Sequence, residues 1–173
     1  MLFKIVGSVI VVLSCSFIGF ALSQDLKKRP RQLRELQGLL QMFENHITYL
    51  SDIIVEAFER ISRVGQCETC VFFSRAAEIL REDGSCGAPG AWERAVRECI
   101  RTTSLNKEDE EILSAFGRSL GNTDLEGQIK NIRLTLSQLK VQEEKAEENR
   151  DRNERMYKSL GLLGGAAIVI LLL

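Results

Sequence analysis

Apolar residues recur at Leu33, Leu36, Leu40, Phe43, Ile47, Leu50, Ile54, Ala57, Ile61 and Val64, a three–four alternation sustained over ten positions. Residues spaced this way share one face of a helix with 3.6 residues per turn, a pattern that a strand or loop does not sustain. Leu39, Ile53 and Phe58 widen the stripe to the breadth of a bundle face rather than a two-stranded seam. Pro30 suits the first turn, where its missing N–H needs no partner. Ser51-Asp52 offers a cap at which the run breaks into a second helix, and Gly65 ends it.

Further along, a third helix is predicted from about Cys67 to Arg81. The stretch from Glu82 to Gly90 is dense in turn formers and reads as a loop. A fourth helix carries Trp92, Ala95, Val96, Cys99 and Ile100. A fifth begins near Asn106, with Lys107, Glu108 and Asp109 in its first turn and Ile112, Leu113, Phe116 and Leu120 on its inner face; Gly121 stops it. Thr123-Asp124-Leu125-Glu126 reads as a capping box, with Thr at the cap and Glu three residues on. Leu125, Ile129, Ile132, Leu136 and Leu139 then continue the inner face of a sixth helix. After Ala146 the apolar stripe disappears through residues 147–155, with no Gly or Pro; this reads as a solvated helical stalk, local disorder being the alternative. The expected fold is all-α, a six-helix bundle.

The two ends differ from this middle. Ile5 to Gln24 is an uncharged, largely apolar run of 20 residues, and Ser159 to Leu173 is another of 15. The first matches the roughly 30 Å hydrocarbon core of a bilayer. A cleaved signal with a site at Ala21-Leu22-Ser23, or a lipoprotein signal at Cys15, are competing readings. The second reaches about 22 Å as helix; it crosses with local thinning or sits partly inserted, and a buried terminal core helix is its alternative. The expected division is therefore a membrane helix over 1–24, a helical domain with its stalk over 25–158 and a membrane-anchoring helix over 159–173. Lys27, Lys28, Arg29, Arg31 and Arg34 flank the first run on the domain side, and Arg150, Arg152, Arg155 and Lys158 flank the second. Basic residues favour the cytoplasmic side, so both ends place the domain there. Cys15 with Gly19, and Gly161 with Gly165, have the small-residue spacing that lets membrane helices approach closely.

Composition narrows the chemistry. A net charge of −1 supplies no field for nucleic acid. The chain has no Gly-rich phosphate loop, zinc-protease helix or nucleophile elbow, so neither enzyme chemistry nor a cofactor is expected. His46 is the only histidine and falls on the flank of its helix. Cys67-Glu68-Thr69-Cys70 has redox or metal spacing, with Cys86 and Cys99 as further thiols. Twelve residues separate that second pair, unlike the tight pairs of a tetrahedral zinc site, so these four remain weak metal candidates. Packing thiols, a disulfide or a redox pair are the other readings, and a thiol- or zinc-dependent regulatory membrane protein is the rival function. Asp124 and Gln128 lie one turn apart and are candidates for partner contact, or serve in capping and solvation.

Several segments together resemble a known family. They are Arg29-Pro30-Arg31-Gln32-Leu33-Arg34 after a single span, Ala91-Trp92, Leu105-Asn106-Lys107-Glu108-Asp109, Leu120 through Gln128, and Tyr157 through Gly165. Over nearly its whole length the chain resembles the stage III sporulation protein AB family of endospore-forming bacteria. That family is in turn similar to the cytoplasmic domain of the type II secretion inner-membrane platform, a six-helix bundle. The resemblance implies a non-enzymatic platform in the channel complex between mother cell and forespore. It would sit in the mother-cell membrane around the forespore, with its bundle in the cytoplasm. Its implied partners are a secretion-type sporulation ATPase and other stage III channel proteins. Platform homologues carry two bundle domains against one here, which implies several copies or partners. The family supplies no catalytic residues, and Cys67-Cys70 lies outside its pattern.

Overall fold

A computed structural model describes residues 27–48, 54–64, 67–121 and 123–172, and all regular structure among them is helical. Helix α1 covers residues 27–48. It is followed by α2 (Ile54–Ser62), α3 (Cys70–Glu82), α4 (Gly87–Cys99), α5 (Lys107–Ser119) and α6 (Leu125–Leu172). Single 3-10 turns, Gly84–Cys86 and Ile100–Thr102, lie before and after α4. Arg29–Glu144 forms one compact unit, and α6 from Lys145 onward belongs to another.

In the first unit the predicted stripe becomes the core. Leu33, Leu36, Leu40 and Phe43 on α1 and Ala57, Phe58 and Ile61 on α2 are fully buried. The stripe overruns its helix at Val64, which lies beyond the end of α2 and is exposed. Leu50, the Ser51-Asp52 cap, Ile53 and the Gly65 stop lie outside the described residues. Helices α2, α3, α4 and α5 then pack in sequence order, each on the next.

Five helices each contribute one ring to the centre: Phe43, Phe58, Phe73, Trp92 and Phe116. Neighbouring ring centroids lie 5.0–6.4 Å apart. Edge-to-face pairs such as Trp92–Phe116, at an interplanar angle of 86°, set positive ring edges against negative faces. The buried indole also needs an acceptor, and Trp92 Nε1 donates to the Leu113 carbonyl at 2.8 Å. Gly117, one turn beyond Leu113, leaves the space that the indole occupies.

Three expectations about element ends are corrected. α3 begins at Cys70 rather than Cys67, because residues 67–69 form a turn. The predicted 82–90 loop is shorter, since α4 starts at Gly87 with Pro89 in its first turn. Gly87 has φ +62°, a left-handed conformation open to glycine, and there the chain turns from the 3-10 segment into α4. The cap of α6 is Asp124 rather than Thr123: Asp124 Oδ1 accepts from the Gly127 N–H at 3.0 Å. Leu125, the first residue of α6, is half exposed instead of facing inward, while Ile132 and Leu139 are buried.

α6 runs unbroken through 147–155 and into the closing apolar run. Among the described residues no helix is long and apolar enough to cross a membrane. The closing run, expected to cross with local thinning or to sit partly inserted, forms the last turns of α6 through Leu172, and a crossing span is not supported there. The opening run, 1–24, lies outside the described residues. In the second unit Lys27 Nζ lies 3.9 Å from a Glu154 carboxylate oxygen, and Ala146 is buried.

Candidate functional site

The most constrained polar structure in the bundle starts from a helix cap. Asn106 has extended backbone, and its side chain accepts from the Asp109 N–H at 3.0 Å. Asp109 Oδ2 accepts in return from the Asn106 N–H at 2.9 Å, completing a capping box. The Asp109 side chain is entirely buried, and a buried carboxylate needs a counter-charge. Arg29 on α1 supplies it with two bonds, Nε to Oδ2 at 2.9 Å and Nη2 to Oδ1 at 3.0 Å. The same Nη2 donates to Gln142 Oε1 on α6 at 3.1 Å, and Gln142 Nε2 donates to Glu108 at 3.0 Å. One residue on, Glu143 is 4% exposed and accepts from Arg34 Nε, Gln37 Nε2 and Lys140 Nζ at 2.9, 2.9 and 3.0 Å. Burial pushes the Glu143 carboxyl upward, but these three hydrogen bonds together outweigh it and hold the group below the usual carboxylate range. Arg29 and Arg34, read from sequence as membrane-flanking charges, thus tie α1 to α5 and to the start of α6. Their partners lie 80 and 109 residues away, a distance at which no local pattern links them.

Beside this seam, α5 and α6 leave an open groove of about 470 Å³. Ile112, Ala115 and Val141 form its apolar part, with Glu108, Glu111 and Gln138 among its polar lining. Leu134 is 58% exposed and Val141 48%. With Gln138 they occupy positions i, i+4 and i+7, hence one face of α6. Sequence reading placed Ile112 inside and passed over Leu134 and Val141. Apolar residues outside the dominant stripe are the signal that marks them.

The expected partner pair separates. Asp124 is exposed and spends Oδ1 on its cap, whereas Gln128 is 6% exposed and donates Nε2 to the Ser119 carbonyl at 2.9 Å. Gln128 therefore fastens α6 to the end of α5 and offers little to a partner. Its Oε1 is buried with no hydrogen-bond partner among the described residues. His46 is half-buried on α1.

Nor are the four thiols gathered. Cys67 and Cys70 are joined in a disulfide, with Cα atoms 5.3 Å apart. Cys86, half-buried, and Cys99, buried, are free. Burial pushes the Cys99 thiol upward, away from the thiolate that binds metals. Among the described residues no group of three or more His, Cys, Asp or Glu side chains is placed to hold a metal ion.

With this geometry in place, comparison with known proteins is specific. The family model Stage III sporulation protein AB (spore_III_AB) matches residues 4–173. Stage III sporulation protein AB of Bacillus subtilis (strain 168) is 35% identical over 170 residues, covering 98% of this chain and 99% of its own. A solved structure of stage III sporulation protein AB superposes with a TM-score of 0.66 at 34% identity, covering 72% of this chain and 98% of the solved one. A family match from Lys4 to the last residue, with a helical fold that superposes over 72% of the chain, places this chain in the stage III sporulation protein AB family.

Proposed function

We propose that this protein is a non-enzymatic membrane platform in the channel complex between mother cell and forespore. Its bundle faces the mother-cell cytoplasm and docks a secretion-type sporulation ATPase and other channel subunits. The runs at 1–24 and 159–173 attach it to the membrane around the forespore, the second by partial insertion. More than one copy serves each assembly.

The observation that carries this reading is the α5–α6 groove. Five rings fill the interior, so what the bundle offers is its surface, where Val141 lines the groove with the carboxylates of Glu108 and Glu111 and Leu134 stands exposed on the same face of α6. Aliphatic groups with a charged rim suit the docking of another protein's helix. The exposed glutamates favour a basic segment, and their charge sets on-rate and register more than affinity.

The test is affinity recovery of the tagged full-length protein from sporulating cells, followed by mass spectrometry. Leu134→Glu with Val141→Glu changes only exposed positions, where substitutions usually move stability by about 0.5 kcal/mol or less. The expected result is loss of the ATPase from the recovered complex with the unfolding transition unchanged. Full recovery with the double variant removes this groove from the interface. Absence of the ATPase from the unsubstituted sample overturns the platform reading.

A further inference from the structure

The platform reading makes no use of the disulfide at the start of α3, whose setting is unlike that of a structural staple. Only two residues separate Cys67 from Cys70. So short a loop removes little freedom from the unfolded chain, so the bond adds less stability than one spanning a long loop. Other contacts already hold the turn. The Cys70 N–H donates to the Cys67 carbonyl at 3.3 Å, and Thr69 is buried. Glu68 accepts from Gln32 Nε2 on α1 at 2.6 Å, while Gln32 Oε1 accepts from the Ser104 N–H at 2.7 Å. The two sulfurs thus stay close whether or not they are bonded. They also differ in access: Cys67 is partly exposed, whereas Cys70 is 6% exposed and is the first residue of α3.

From these observations we infer that Cys67 and Cys70 form a reversible thiol–disulfide exchange site whose redox partner is a low-molecular-weight monothiol. The thiolate of that partner attacks Cys67 Sγ, the sulfur that solvent reaches. The Cys67–Cys70 bond breaks, its electron pair leaves on Cys70 Sγ, and a mixed disulfide forms on Cys67. The N-terminal end of α3 favours the departing anion, which then takes a proton from water. A second thiolate attacks the partner's sulfur in the mixed disulfide, giving the partner's own disulfide and releasing Cys67, which is protonated in turn. Two monothiols are oxidised and one protein disulfide is reduced, a two-electron exchange. Because Gln32, Thr69 and the backbone turn keep the thiols adjacent, the reverse reaction closes the bond again.

The test uses full-length protein in membranes, equilibrated with mixtures of reduced and oxidised glutathione, acid-quenched, alkylated and mapped by mass spectrometry. The 67–70 peptide is expected to pass from disulfide to doubly alkylated in one step within the range of mixtures, under native conditions. A pair found as dithiol in every mixture, or one reduced only after denaturation, overturns the inference. Two single variants test the order of attack. With oxidised glutathione, Cys70→Ser is expected to gain one glutathione at Cys67, while Cys67→Ser gains none at Cys70. Equal labelling of both, or labelling at Cys70 alone, refutes the assigned order.

Discussion

Gly117 is the position where the packing makes its sharpest demand. A Cβ added there falls well inside 3.0 Å of Trp92 Cδ1 and 3.2 Å from Cγ, distances at which the ring must move. It has little room to do so, because Phe58, Phe73 and Phe116 stand with centroids 5.5, 5.0 and 5.2 Å from it, and its N–H is committed to the Leu113 carbonyl. Gly117→Ala therefore sets two effects against each other. Alanine in a helix interior gains about 1 kcal/mol over glycine. Overpacking a filled core costs about 1–3 kcal/mol, and tilting the indole off its acceptor loses about 1 kcal/mol more. The net expectation is destabilisation by about 1–3 kcal/mol. Gly38 on α1 is the matched control, since nothing lies within 4 Å of a Cβ added there. Gly38→Ala should stabilise by up to about 1 kcal/mol through the same helix preference. Urea unfolding of the full chain in a mild detergent measures both, with the sole tryptophan as probe. Trp92 is fully buried, so Gly117→Ala should also shift its emission toward the red if the ring is displaced toward water. The reasoning fails if Gly117→Ala matches Gly38→Ala in stability and leaves the emission maximum unchanged.

The charge seam yields two further expectations. Arg29→Ala strands the fully buried Asp109 carboxylate, for which about 3–5 kcal/mol of lost stability is typical. Arg29→Lys should recover only part, because an ammonium cannot make both bonds at once; complete recovery in urea unfolding would show that the bidentate geometry is immaterial. Glu143 has a lowered folded pKa, so its contribution is complete above the unfolded value and is lost as pH falls through the folded one. Unfolding curves of Glu143→Gln should lie below those of the unsubstituted protein by a constant margin at neutral pH. That margin should shrink as pH falls below about 4.3, the ordinary Glu value; a margin that widens on acidification contradicts the sign.

What the sequence revealed and what it hid divide along a physical line. The positions that follow a 3.6-residue period, from Leu33 to Ile61, are the ones the core absorbs, because burial of one helix face is a local, periodic property. The start of α5 near Asn106 was legible for the same reason, and the structure adds the capping box between Asn106 and Asp109. The start of α6 was misread by one residue because Thr123 and Asp124 are both competent caps. Only the packing of Gln128 against Ser119 and of Ile132 in the core distinguishes the two registers. The candidate site was harder still. Gln128 looked surface-exposed because amide side chains usually are. No local pattern marks Glu143 or Asp109 as buried, because their partners Arg34 and Arg29 come from α1, 109 and 80 residues away in sequence.

The same division explains how the start of α6 is joined to the bundle. Between Gln128 and Glu143 its buried side chains are Gln128, Ile132, Thr135, Leu139, Gln142 and Glu143, so four of the six are polar. The helices that surround Trp92 meet instead through rings and aliphatic groups. Apolar contacts tolerate sliding, because burial is non-directional. A seam made of Arg29 on Asp109 and Gln142, and Arg34 with Gln37 on Glu143, is satisfied only in one register, since each slip would leave a buried charge unpaired. Residues 125–144 of α6 are thereby held in fixed register on α1 and α5. For the proposed platform this property has a use: a partner pressing on the α5–α6 groove would meet a helix that moves with its bundle instead of shearing past it.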